Sequence, residues 1–218
     1  MSQPIRVLLV DDEPLVRSGL AAILGTHADI EVVGEASDGT DVWQETRRLQ
    51  PDLVMMDVRM PQMDGIEATA QLMALGVDRP KILILTTFES DDYVYQALKA
   101  GADGFLLKRA RPEQLLHTVR AVAAGDSIVF PAKLRELVAA HGNKSRDRVA
   151  AAGLSIREAE VLRHLARGYN NLEIAQAMFL GTETIKTHIG SILSKLRVRD
   201  RTQAVIAAYE SDFMRPGA

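Results

Sequence analysis

The first half of the chain alternates short apolar runs with stretches in which apolar residues recur every three or four positions. Apolar runs at residues 5–10 (interrupted only by Arg6), 53–56, 81–85 and 104–107 predict strands buried in a parallel sheet, and residues 30–36, which carry Glu31 and Glu35, predict a further strand, making five. The stretches between them predict helices. Pro14 suits the first turn of a helix over 14–26, with Leu15, Val16, Leu20, Ile23 and Leu24 at helical spacing. Further helices are predicted over 39–49, stopped before Pro51, over 65–75 and 91–100, ended by Gly76 and Gly101, and over 112–124, ended by Gly125. Strict alternation of strand and helix implies a doubly wound α/β domain, a parallel sheet with helices on both faces.

After residue 124 the pattern changes. Residues 125–152 lack strand-like alternation, carry one short amphipathic stretch at 131–140 with Leu134, Leu137 and Val138 on one side, and continue as a polar, small-residue run. They read as an interdomain linker that is either a passive tether or a helix that docks and releases. Residues 153–218 predict a small all-α domain. Ser155 and Glu158 form a capping box opening a helix with Val161, Leu162 and Leu165, and Gly168 ends it. Asn170 and Glu173 open a second helix with Ile174, Ala175 and Met178 on its buried side. A tight break at Phe179-Leu180-Gly181 leads into a third helix, residues 182–196, burying Ile185, Ile189, Ile192, Leu193 and Leu196. Its other face shows Glu183, Lys186, Thr187, Gly190, Ser191, Ser194 and Lys195. Two short helices in a tight turn, the second basic and hydroxyl-rich on its open face, suit the DNA major groove.

Four of the five strands finish in chemically active residues: Asp11 and Asp12 after the first, Asp57 after the third, Thr86 after the fourth and Lys108 after the fifth. Alone, Asp57 could do no more than cap a turn. Together, these residues meet at the carboxyl edge of the sheet, where open α/β folds bind ligands. Three carboxylates at one edge repel one another and call for a cation, and hard oxygen donors without His or Cys select Mg²⁺ or a similar ion. A carboxylate so placed can attack phosphorus and form an acyl phosphate, with Lys108 neutralising phosphoryl oxygens and the Thr86 hydroxyl donating to one of them.

The net charge of −3 conceals an asymmetry. Residues 1–124 carry 12 Lys/Arg against 19 Asp/Glu, a balance of −7, and residues 125–218 carry 14 against 10, a balance of +4. Acid before base fits a cation site joined to a polyanion binder, although a modest surplus also fits ordinary solvated surface. The absence of Cys excludes disulfides and thiolate metal sites, no apolar run approaches a membrane span, and charge arrives too early at the N-terminus for a signal-peptide core. A cytoplasmic protein is expected.

With these residues in view, residues 1–124 resemble the receiver domain of bacterial two-component response regulators, a flavodoxin-like (βα)5 fold. The resemblance rests on the acidic pair Asp11-Asp12, the phospho-acceptor position Asp57, the hydroxyl switch position Thr86 and Lys108 in GFLLK. It implies that Phe105 is the aromatic switch residue, with core packing as the other reading, and that the main-chain carbonyl of Arg59 joins Asp11, Asp12 and Asp57 as a metal ligand. Arg109-Ala110 departs from the family's proline after the lysine, and Arg59 and Phe88 occupy positions at which the family varies its hydrolysis rate.

Residues from Leu154 to Tyr209 resemble the LuxR-type helix-turn-helix domain, and the whole chain resembles a response regulator of the NarL/FixJ family. By that resemblance Lys186, Thr187 and the Gly190 position face bases, with specificity resting on fewer contacts or on a neighbour such as Ser191, while Thr182, Thr184, Lys195, Arg197 and Arg199 meet phosphates. Gly181 replaces a common serine cap, and Gly190 has no side chain to read a base. The last helix, 202–209, offers Val205, Ile206 and Tyr209 either for pairing with a second copy or for closing the core. The implied partners are a sensor histidine kinase, double-stranded promoter DNA, a second copy as a homodimer upon phosphorylation or DNA binding, and RNA polymerase; a membrane is not among them. The implied protein is a transcription regulator whose only chemistry is gain and loss of phosphate at Asp57. Two alternatives stand beside it: a DNA binder independent of phosphorylation whose receiver is a docking module, and a Mg²⁺-dependent phosphatase, weakened because Arg59 stands where its general acid is wanted.

Overall fold

The computed structural model describes residues 3–76, 79–87, 91–125, 149, 152–211, 213 and 214, with the side chains of residues 91 and 92 excepted. The expected linker helix at 131–140 and the position of Phe88 lie outside the described residues. The chain divides into two compact units, residues 1–128 and 129–218.

In the first unit the strands are β1 (Ile5–Val10), β2 (Ile30–Ala36), β3 (Leu53–Asp57), β4 (Lys81–Thr86) and β5 (Gly104–Leu107). They pair in parallel in the order β2-β1-β3-β4-β5. The chain order reverses between β1 and β3, so a crevice opens beyond the carboxyl ends of those two strands. The helices are α1 (Pro14–Leu24), α2 (Gly39–Leu49), α3 (Gly65–Met73), α4 (Asp91–Ala100) and α5 (Pro112–Ala123). Val7, Leu9, Leu53, Met55, Leu83, Leu85 and Leu106 line one face of the sheet and pack with Leu24 of α1 and Leu115, Leu116, Val119 and Val122 of α5. The alternate residues Leu8, Val10, Val54, Met56, Ile82, Ile84 and Phe105 are buried on the opposite face.

Local signals set the helix starts. Asp64 caps α3 by accepting from the N–H groups of Ile66 and Glu67 at 2.9 and 2.8 Å. Gly65 follows because nothing larger fits: a Cβ there would lie 2.1 Å from the Asp57 carbonyl oxygen. Asp38 caps α2 through the Thr40 N–H at 3.1 Å and also accepts from Gln62 and Met63 at 2.9 and 3.1 Å, tying the β3–α3 loop to the start of α2. Helices α1 and α3 stop at Leu24 and Met73, two residues short of expectation.

The second unit holds α6 (Ile156–Ala166), α7 (Asn171–Met178), α8 (Thr182–Leu196) and α9 (Arg201–Glu210). Both expected capping boxes form, Ser155 with Glu158 and Asn170 with Glu173. Val161, Leu162 and Leu165 of α6, Ile174 and Ala175 of α7 and Ile185, Ile192 and Leu196 of α8 are buried, whereas Met178, Ile189 and Leu193 are only half-buried. The turn between α7 and α8 passes through Phe179 in the left-handed region, at φ 55 and ψ 44.

Candidate functional site

Strand register brings the expected residues of the first unit together. Asp57 ends β3 opposite Leu85, Asp11 follows β1, and the Lys108 N–H donates to the Thr86 carbonyl at 2.8 Å. Lys108 Nζ lies 2.6 Å from Asp11 Oδ2 and 3.1 Å from Asp57 Oδ2, so one ammonium bridges two carboxylates that are both buried. The remaining oxygens meet backbone: Asp57 Oδ1 accepts from the Val58 N–H at 2.8 Å and Asp11 Oδ1 from the Glu13 N–H at 3.0 Å. A cleft of about 210 Å³, lined by Asp12, Asp57, Arg59, Thr86, Tyr93 and Lys108 among others, opens above them.

Burial pushes the Asp57 carboxyl above its ordinary pKa, as does the charge of Asp11, and the Lys108 ammonium only partly offsets this. For Lys108 burial pulls down, but the Asp11 hydrogen bond and the charges of Asp57 and Asp11 outweigh it, so the ammonium is held more firmly than usual.

Carboxylate oxygens of Asp11, Asp12 and Asp57 lie within 4.8 Å of one another. Asp11 Oδ2 is buried with the Lys108 ammonium at 2.6 Å as its close partner. An all-oxygen cluster of three carboxylates fits a hard divalent cation.

Thr86 and Phe105 are buried and share a sheet face, because Ile84 pairs with Phe105 and Thr86 lies two residues beyond Ile84. After Lys108, where proline is replaced by Arg109-Ala110, the Ala110 N–H donates to the Leu107 carbonyl at 2.9 Å, and the chain turns without it.

Three contributors escape a reading of the sequence. Arg17 of α1 donates to the Asp11 carbonyl at 2.6 Å and to Glu35 at 3.0 Å, anchoring the end of β1. Asp38, described above, fixes the loop after Asp57. Tyr93 of α4 lies under the Arg59 guanidinium, 5.1 Å from its ring centroid, with the Arg59 Nη2 to Tyr93 hydroxyl distance at 3.3 Å. Arg17 falls six residues past Asp11 on the next helix, a spacing that could have signalled it; Asp38, just before the predicted helix at 39, could have been read as its cap but not as the anchor of the loop after Asp57, and Tyr93 carries no local signal.

In the second unit Thr184, Lys186, Thr187, Gly190, Lys195, Arg197 and Arg199 are exposed, and Thr182 and Ser191 half-buried. Lys186 Nζ pairs with Glu183 at 2.7 Å. Ser191 and Lys195, expected to face DNA, contact Glu158 of α6, Lys195 while remaining exposed: Ser191 Oγ lies 2.5 Å from Oε1, and Lys195 Nζ 2.6 Å from Oε2. Val205 and Ile206 are 6% and 5% exposed, and the Tyr209 hydroxyl donates to the Ala166 carbonyl at 2.7 Å. Val205 and Ile206 are thus buried within the chain, while Tyr209 is half-buried.

Comparison with known proteins agrees with this architecture. Residues 7–120 match the response regulator receiver domain, and residues 152–208 match the LuxR family of bacterial regulatory proteins. The response regulator protein VraR of Staphylococcus aureus is 41% identical over 211 residues, spanning 96% of this chain and 99% of the relative. Among solved structures, the response regulator ChrA of a heme-sensing two-component system is 37% identical, with a TM-score of 0.54 over 98% of this chain and all of ChrA. A structure of two RcsB dimers bound to two parallel DNAs is 25% identical, with a TM-score of 0.56 over 96% of this chain and 99% of RcsB. A receiver fold with a carboxylate cluster at its switch point, followed by a LuxR-type helical unit, makes this chain a two-component transcription regulator of the NarL/FixJ response regulator family.

Proposed function

We propose that Asp57 accepts a phosphoryl group from a sensor histidine kinase and that the phosphorylated chain reads promoter DNA through α8. The observation that carries this reading is the Lys108 ammonium bridging Asp11 and Asp57 at the floor of an open cleft. In the transfer, an Asp57 carboxylate oxygen forms a bond to phosphorus as the bond from phosphorus to the donor imidazole breaks. Lys108 faces the phosphoryl oxygens, and the Thr86 hydroxyl, moving toward them, frees space on the sheet face it shares with Phe105. Asp11, Asp12, Asp57 and the Arg59 main-chain carbonyl would hold Mg²⁺, which when bound supplies charge neutralisation for the incoming phosphoryl group.

On α8, Lys186 and Thr187 stand in the N-terminal half, where side chains reach base edges; Thr182 and Thr184 at the helix start, with Arg197 and Arg199 beyond its end, meet phosphates. Gly190 meets nothing within 4 Å of an added Cβ, leaving room there for a base pair to approach. A homodimer on DNA is supported by the RcsB dimers on DNA, and pairing through α9 would require Val205 and Ile206 to be uncovered first. The setting is the cytoplasm, and among the described residues no helix is long and apolar enough to cross a membrane.

Intact-mass measurement after incubation with a small phosphodonor and Mg²⁺ tests the first step. One labile phosphate is expected on the parent and none on Asp57→Asn; equal labelling of both would refute the assignment.

A further inference from the structure

Glu158 is 5% exposed, yet it carries a full charge: its carboxyl is held down to about 2 by hydrogen bonds from Lys195 and Ser191 and from the Ser155 N–H. Ser155 N–H donates to Oε2 at 2.6 Å, completing the capping box of α6, while Ser191 and Lys195 come from α8. The two pairs on α8 differ in setting. Lys186 and Glu183 leave 60% and 82% of their side chains exposed, a solvated pair on one helix; Lys195 and Glu158 leave 37% and 6%, a partly buried pair between two helices. A buried carboxylate stripped of its only cation would be left uncompensated. Moving the Lys195 ammonium to a DNA phosphate would do that to Glu158. Ser191 and Lys195 are also one turn apart on α8, with Thr187 one turn before them on the same strip. Whatever fixes the rotation of that strip fixes the direction in which Thr187 and its neighbour Lys186 point.

We propose that Glu158 is a positioning residue for DNA recognition: through Ser191 and Lys195 it sets the rotation of α8 about its own axis, and it holds the Lys195 ammonium on its own carboxylate rather than on a phosphate. This rests on the reading of α8 as the DNA-contacting helix. It also revises the sequence expectation for Lys195, which becomes a structural cation.

The test titrates the full chain against a duplex from its own promoter and a scrambled duplex at several salt concentrations, with circular dichroism confirming that each variant is folded. Glu158→Gln should bind the scrambled duplex at least as tightly as the parent and lose about tenfold of its preference for the promoter, equivalent to one base contact. Its salt dependence should steepen by about one unit as Lys195 is released. Lys195→Met should leave the salt dependence unchanged. The double variant Glu158→Gln, Lys195→Met should recover the preference, because a neutral pair leaves no bare charge, and Ser191→Ala should lose part of it. Glu158→Gln discriminating as the parent does, or Lys195→Met flattening the salt dependence by about one unit, would overturn the inference alone. A parent chain that fails to discriminate would overturn the DNA-binding reading as well.

Discussion

The cleft around Asp57 and the network around Glu158 hold buried charge in opposite ways. In the cleft one cation serves two carboxylates, and Asp57 is pushed toward protonation. In the helical unit one carboxylate receives three good donors and is held far below its ordinary range. The first arrangement leaves two carboxylates sharing one ammonium; the second is closed and serves the fold. An unbalanced group at a cleft is therefore the stronger pointer to chemistry, and a strongly shifted but saturated one points to scaffold.

The sharpest way to break the cleft is from behind. Gly65→Ala would drive a Cβ into the Asp57 carbonyl, and because the obstacle is backbone the strand end itself must move. We expect loss of phosphorylation together with about 1–3 kcal/mol of stability, read by mass and by denaturant unfolding. Next in size is removal of the bridging cation. Lys108→Met leaves the buried Asp11 and Asp57 facing each other and should cost about 1–3 kcal/mol without metal, part of it regained on adding Mg²⁺. Asp57→Asn should act in the opposite sense. A carboxyl whose folded pKa is raised stabilises the fold only while protonated, so at neutral pH the ionised form weakens it and the amide should raise the melting temperature measured without metal. A fall would show that Lys108 needs Asp57 more than Asp57 suffers from burial.

Acid should separate the two regions further. His164 in α6 is held below the ordinary 6.5 by burial and by the charge of Arg167, with Glu160 opposing. Glu158 is held near 2 against an ordinary 4.5. Both folded-state values are depressed, so each contribution is present above the unfolded value and lost as pH falls toward the folded one. The helical unit should weaken first below about pH 6.5 and again between about pH 4.5 and 2. His164→Gln should remove the first step alone, as followed by unfolding monitored over pH. The smallest effect concerns the turn at Phe179, which is left-handed and 95% exposed. Phe179→Asn should stabilise by about 0.5–1 kcal/mol, because asparagine tolerates that conformation and no packing is lost. A loss of stability would mean that Phe179 is held by a contact.

How much of this was legible in the sequence follows the same division. Strand ends could be read because a buried parallel strand is a continuous apolar run and the residue that ends it must lie at the sheet edge; Asp11, Asp57, Thr86 and Lys108 therefore meet as expected. Caps could be read because Ser155 and Asn170 act on residues three positions away. What escaped acts across the fold. Glu158 was visible as a capping residue, but its grip on Ser191 and Lys195 spans 33 and 37 residues and depends on how α6 meets α8. Helical periodicity placed Ser191 and Lys195 on the open face, and the packing of α8 against α6 brings both onto Glu158. Val205 and Ile206 illustrate the same point, since an apolar helix face reads alike whether it pairs with a second copy or closes a core.

The central claim is that the state of Asp57 governs DNA recognition by α8. It is tested most directly by titrating the full chain against its promoter duplex with and without Mg²⁺ and beryllofluoride, for the parent and for Asp57→Asn. Coupling of about 1–3 kcal/mol predicts that the phosphoryl mimic tightens binding by about five- to 150-fold in the parent and not at all in Asp57→Asn. Equal affinity with and without the mimic in the parent, once the mimic is shown to be bound, or the same tightening in Asp57→Asn, would contradict it.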